Sequence, residues 1–123
     1  MNNKSNVCRL RYVLPVIMAI VISATPSTAL SALENSPVTK IAELYGYGEY
    51  GNGDVLVKLE TNGTTCSNGY WMNKSDIGYE TLLSMILAAY HADKTIGFQG
   101  ENSDMWPGSS GSFCRIKRVD YGT

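Results

Sequence analysis

Cys66 and Cys114 are the strongest constraint on what this chain can fold into. The 123 residues hold three cysteines, and the third, Cys8, stands ahead of an apolar run with the layout of an export leader. Two cysteines left in an exported chain have one intramolecular pairing, and oxidising compartments favour it. A bridge would close a loop of about fifty residues, for which chain entropy predicts about 4 kcal/mol of stabilisation. The alternatives are a metal pair or a reactive thiol. The Cys-x-x-Cys spacing of metal sites is absent and His91 is the sole histidine, so no metal ligand set is expected.

The leader itself is read over residues 1–31. Lys4, Arg9 and Arg11 form a positive start, Val13 to Ala24 is apolar apart from Pro15 and Ser23, and small residues follow. Cleavage is expected after Ala29 or after Ser31. The apolar run is shorter than the roughly 20 residues that span a bilayer, so no stable membrane anchor is expected after cleavage. Cys8 precedes the run and cannot be a lipoprotein's acylated cysteine. The expected location is secreted or periplasmic. Beyond Ser31 there are seven basic and eleven acidic residues, a net charge of −4. That sign offers no footprint for nucleic acid or for an anionic membrane.

Residues 32–37, "ALENSP", read as a flexible start, and 38–123 as a single disulfide-linked domain. Val38 to Tyr45 reads as a first strand. In Asp54 to Thr61, Val55, Val57 and Leu59 alternate with Leu56, Lys58 and Glu60, the period of a strand with one face on a core. "GNG" before it and "NG" after it are turn signals, and a short strand follows near Thr65 or Tyr70. "SDIGYETLLSMILAAYHADK" reads as an amphipathic helix capped by Ser75 or Asp76. Its apolar stripe is Tyr79, Leu82, Leu83, Ile86, Leu87 and Tyr90, widened by Met85 and Ala89, and it is expected to be the most buried element. "KTIGFQG" reads as a short strand and "ENSDMWPGSSGS" as an exposed polar loop. "FCRIKRVDY" reads as a last strand with Cys114, Ile116 and Arg118 on one face and Phe113, Arg115, Lys117 and Val119 on the other. The expected fold class is α+β, a small mainly antiparallel sheet or a partly open OB-like barrel with one amphipathic helix, in β-β-α-β-β order.

No catalytic constellation emerges. His91 sits where a helix C-terminus favours a cation, and nothing around Ser109, Ser110 or Asp93 has the context of a nucleophile elbow. Glu43, Glu49, Asp54 and Glu60 are scattered acids, and "GYGEYGNGD" lacks the setting of a phosphate loop. The loop aromatics carry more information. Tyr45, Tyr47, Tyr50, Tyr70, Trp71 and Trp106 fall in loops or at strand ends, and rings with apolar faces and polar tips suit recognition surfaces. The candidate binding residues are Trp71, Trp106, Tyr70 and Tyr47, with Trp106 the foremost because "MWPGSSG" reads as exposed. Alternatively the two tryptophans cover the disulfide. If the bridge forms, both are expected on one side of the molecule.

The order of strand, glycine turn, "C…W", amphipathic helix, short strand and late cysteine, from Val55 to Cys114, resembles small exported bacterial proteins of unassigned function. It is also similar to the B subunits of subtilase- and typhoid-type AB5 toxins. The toxin resemblance implies a small one-helix barrel that binds glycans as a pentamer, and no glycan-contact residue carries over. The expected function is a secreted non-enzymatic binding module for a glycan or protein at a cell surface, with no cofactor and with homo-oligomers open. A periplasmic inhibitor of another enzyme and a small exported hydrolase are the alternatives.

Overall fold

The computed structural model describes residues 32–122. The expected leader and the terminal threonine lie outside the described residues. The domain is α+β, with one α-helix and six strands: β1 (Leu33–Asn35), β2 (Ile41–Gly46), β3 (Val55–Leu59), β4 (Gly69–Met72), α1 (Tyr79–His91), β5 (Ile96–Met105) and β6 (Phe113–Tyr121). They form an open sheet in the order β1-β5-β6-β4-β3-β2, with β1 and β2 as its edges. Every neighbouring pair is antiparallel except β4 with β6.

Register decides what each face carries. Val57 stands opposite Tyr70 and Tyr70 opposite Cys114, and this row faces the helix. One residue along, Leu56 stands opposite Trp71 and Trp71 opposite Arg115, and side chains alternate between faces, so this row points the other way. The sheet is therefore buried on both sides at its centre. The helix face holds Val57, Tyr70, Met72, Ile86, Ile96, Phe98 and Ile116, and the opposite face a smaller cluster of Leu56, Trp71, Trp106 and Phe113. All four residues of β4 are buried, so this strand, not the helix, is the most enclosed element.

The disulfide forms between Cys66 and Cys114, with both sulfurs in the helix-side core. Gly100 lies over it. A Cβ there would come within 2.8 Å of the Cys114 Cβ and 3.0 Å of the Cys66 Sγ, so no side chain fits. Tyr70, stacked on Phe98 with centroids 5.0 Å apart, packs on the same glycine. Tyr70 covers the bridge from within the core, while the tryptophans sit in the other cluster.

Several expectations are corrected. Leu33–Asn35, read as part of a flexible start, is an edge strand on β5. It is held there by the Glu34 carboxylate, which accepts the backbone N–H groups of Thr65 (2.9 Å) and Cys66 (2.8 Å). Burial raises the Glu34 pKa, but these backbone donors outweigh it and hold the carboxyl below its ordinary value. The polar "ENSDM", read as loop, continues β5, because Asn102 donates to the Ala32 carbonyl and Asp104 is engaged by Trp71 and Arg115. Between β5 and β6, Gln99 pairs with Arg118 but Gly100 with Ile116. The unmatched Lys117 is a bulge that flips parity, so Val119 is buried with Ile116 instead of opposite it. The helix has Gly78 at its N-cap with no side-chain cap, since Asp76 spends its carboxylate on Asn73 and Arg115. Its buried stripe is narrow: Ile86 and Ala89 are enclosed, Leu82 and Leu83 half-buried, and Leu87 and Tyr90 exposed.

Candidate functional site

The connection from β2 to β3, residues 47–54, is where exposed aromatic rings and a buried charge meet. The glycines let it turn back sharply. The Tyr47 N–H donates to the Asp54 carbonyl at 2.8 Å, and the N–H groups of Gly53 and Asp54 converge on the Tyr50 carbonyl. Gly51 adopts φ +59°, and a Cβ there would collide with the Asp54 carboxylate. Glycine is therefore required both for the backbone conformation and for the space.

Asp54 is the one buried charged residue among the described residues, at 1% exposure. A buried carboxylate must be hydrogen-bonded, and Asp54 is. The Trp106 Nε1–H donates to its Oδ2 at 2.8 Å, and the Asn73 amide donates to its Oδ1 and to the Gly51 carbonyl. Three segments far apart in the chain, the β2–β3 loop, the end of β4 and the end of β5, are thus joined at one carboxylate. Sequence reading counted Asp54 only as a scattered acid. The available signal was its place at the head of the apolar run "VLVKL", where a charge enters the interior and requires partners.

Trp106 is the hub of the aromatic cluster. Its ring lies 5.3 Å from Tyr47, 5.4 Å from Tyr50 and 5.9 Å from Phe113, centroid to centroid, within the range of favourable aromatic pairing. The loop around it is exposed, but the ring is 6% exposed, so it does not present itself to solvent as the sequence suggested. Tyr47 and Tyr50, at 37% and 46%, are the rings that do. Tyr47 borders an open depression of about 360 Å³ lined also by Asn52, Asp54, Lys74 and Tyr79, and the Tyr50 ring lies edge-on to Tyr47 with centroids 6.3 Å apart. Lys74 has no ion-pair partner among the described residues.

The other candidates separate. Tyr70 is wholly buried, its hydroxyl accepting the Gly63 N–H at 3.1 Å, and burial pushes its pKa up. It cannot touch a ligand. Trp71 shares the face of Trp106, as expected of the pair, but is shut in. Its Nε1–H donates to the Asp104 carbonyl at 3.1 Å, and the Arg115 guanidinium covers the ring at 5.0 Å. Arg115 is held by Asp76 and, at 2.7 Å, by Asp104, which raise its pKa in that order. Only Tyr47, of the four residues singled out, is both exposed and at the depression, with the exposed Tyr50 ring beside it. His91 is exposed on the last turn of α1, its ring edge-on to Tyr90 at 6.1 Å. No group of three or more potential metal-ligating side chains occurs among the described residues, and no helix there is long and apolar enough to cross a membrane. Comparison with protein-family models, with curated proteins and with solved structures finds no match to this chain.

Proposed function

We propose that the protein is an exported, non-enzymatic binding module that takes a glycan or a surface protein at the depression lined by Tyr47 and on the adjoining Tyr50 ring. The observation that supports this most is the propping of two exposed tyrosine rings on a tryptophan that is itself locked to a buried carboxylate. A rigid aromatic platform loses little entropy on binding, and its rings suit sugar C–H faces or a partner's apolar groups. Asn52 and Lys74 add polar groups at the edge, the mixture that ligand sites generally show. We carry forward with this the expected OB-like relationship, since OB folds take oligosaccharides on their sheet and its loops.

A glycan array and capture on immobilised envelope proteins, run with wild type and with Tyr47→Ser/Tyr50→Ser, test it. Loss of binding in a variant with an unchanged melting curve supports the reading. Binding that survives both changes undiminished sinks it.

One observation favours the inhibitor alternative. Ile77 is fully exposed, at 109%, on a pinned loop: Asp76 is tied to Asn73 and Arg115, and Asn73 accepts the Ser75 N–H and hydroxyl. An apolar anchor on a preorganised loop suits insertion into another protein's pocket. Binding to envelope proteins lost in Ile77→Ser but retained in the tyrosine double variant would select this reading.

A further inference from the structure

Three Asn–Gly dipeptides lie in the described chain: Asn52–Gly53, Asn62–Gly63 and Asn68–Gly69. Asparagine followed by glycine is chemically labile, because glycine has no side chain to hinder attack of its backbone nitrogen on the neighbouring carboxamide. All three share that dipeptide, so a large difference between them points to the fold. The attacking nitrogens are tied alike. The Gly53 N–H donates to the Tyr50 carbonyl, the Gly63 N–H to the Tyr70 hydroxyl and the Gly69 N–H to the Cys66 carbonyl, each at 3.1 Å. The carboxamides under attack are not alike. The Asn62 Oδ1 accepts the Leu59 N–H at 3.0 Å and its Nδ2 donates to the Ser67 carbonyl at 3.3 Å. The Asn68 Oδ1 accepts the Ser112 N–H at 2.8 Å. The Asn52 side chain makes no hydrogen bond among the described residues and is exposed. Access differs in the same direction, since Gly63 and Gly69 are buried and Gly53 is half-buried. The deprotonation that starts the reaction needs water or hydroxide at the glycine nitrogen.

From this contrast we infer that Asn52 is a site of spontaneous deamidation, a reaction that writes a new negative charge into the aromatic loop as the protein ages. The Gly53 nitrogen loses its proton to solvent base and bonds to the Asn52 Cγ. The Cγ–Nδ2 bond breaks and ammonia leaves, closing a five-membered imide. Water then opens the imide. Cleavage at Cγ gives aspartate on an unchanged backbone, and cleavage at the main-chain carbonyl gives isoaspartate, which lengthens the backbone by one methylene. No oxidant or reductant takes part. Either product places a carboxylate at the depression that Tyr47, Asp54 and Lys74 line, and isoaspartate also alters the link between Tyr50 and Asp54. The deamidation stands without the binding proposal, whereas its effect on a ligand rests on that proposal.

Peptide mapping by mass spectrometry after incubation at mildly alkaline pH tests the inference. One sample is native, and a second is reduced and held in urea. In the native sample, conversion at Asn52 is expected to exceed that at Asn62 and Asn68 by at least about tenfold, the factor that 1.4 kcal/mol of protection gives. In urea the three are expected to converge, because each has glycine as the residue whose nitrogen attacks. Native conversion that is equal at the three sites, or faster at Asn62 or Asn68, overturns the inference. So does a preference for Asn52 that persists in urea, since the fold would then not be its source. Asn52→Asp, tested beside wild type on the glycan array, reads the effect on binding separately.

Discussion

Trp106 donates its indole N–H to Asp54 across fifty-two residues of chain, at 2.8 Å and in a buried setting. That bond turns the aromatic cluster into a fixed object. Trp106→Phe keeps most of the ring packing but deprives a buried carboxylate of one of its two side-chain donors. A loss of about 1–3 kcal/mol is expected in urea unfolding, the cost of leaving a buried polar group underbonded. Removing the ring altogether in Trp106→Ala is expected to cost about 3–5 kcal/mol. Equal stability of Trp106→Phe and wild type would mean that the bond adds nothing.

The helix gives a sharper contrast. Ile86 is fully enclosed between α1 and the sheet, whereas its neighbour Leu87 is substantially exposed. Ile86→Ala is expected to lower stability by about 2–5 kcal/mol, and Leu87→Ala to stay within about 0.5 kcal/mol of wild type. The same denaturation experiment reads both. A large loss at Leu87 would show that its side chain is covered in solution, as it would be in an oligomer.

Glu34 makes the stability depend on acid. Its folded pKa lies below the ordinary 4.5, so the unfolded chain binds the proton more readily. The stabilisation is complete above that ordinary value and is lost as pH falls from it through the lower folded value. Glu34→Gln is therefore expected to be less stable than wild type at neutral pH, with the two curves converging below about pH 4.5. Parallel curves across the acid range would show that the Thr65 and Cys66 N–H groups do not hold the charged form.

The disulfide has a kinetic signature as well as a thermodynamic one. Cys66 and Cys114 are both at 0% exposure, so native protein in mild reductant is expected to resist alkylation until denaturant is added. A Cys66→Ser/Cys114→Ser chain is expected to lose about 4 kcal/mol, as a closed loop of this length implies. Rapid double alkylation of the native protein would show that the bridge opens to solvent without unfolding.

The tests bear on different levels of what was legible in advance. The sequence by itself determined the strand at Val55–Leu59, the helix through Ile86 and the pairing of Cys66 with Cys114. The first two are written in local spacing, a period of two and a period near 3.6, and the third needed only a count of the cysteines beyond residue 31. Tertiary structure alone decided the rest. "DMWPGSSG" is polar, and nothing within it says that Trp106 turns inward, because the acceptor that makes its burial favourable is Asp54 on another strand. Leu33–Asn35 has no strand signature and becomes one because β5 offers an unpaired edge and the loop at Thr65 offers N–H groups to Glu34. Val119 faces the core because Lys117 is left unmatched opposite β5. In each case a group's environment is supplied by residues remote in the chain, and a hydrogen-bond partner or a bulge across a sheet leaves no period in the sequence that carries it.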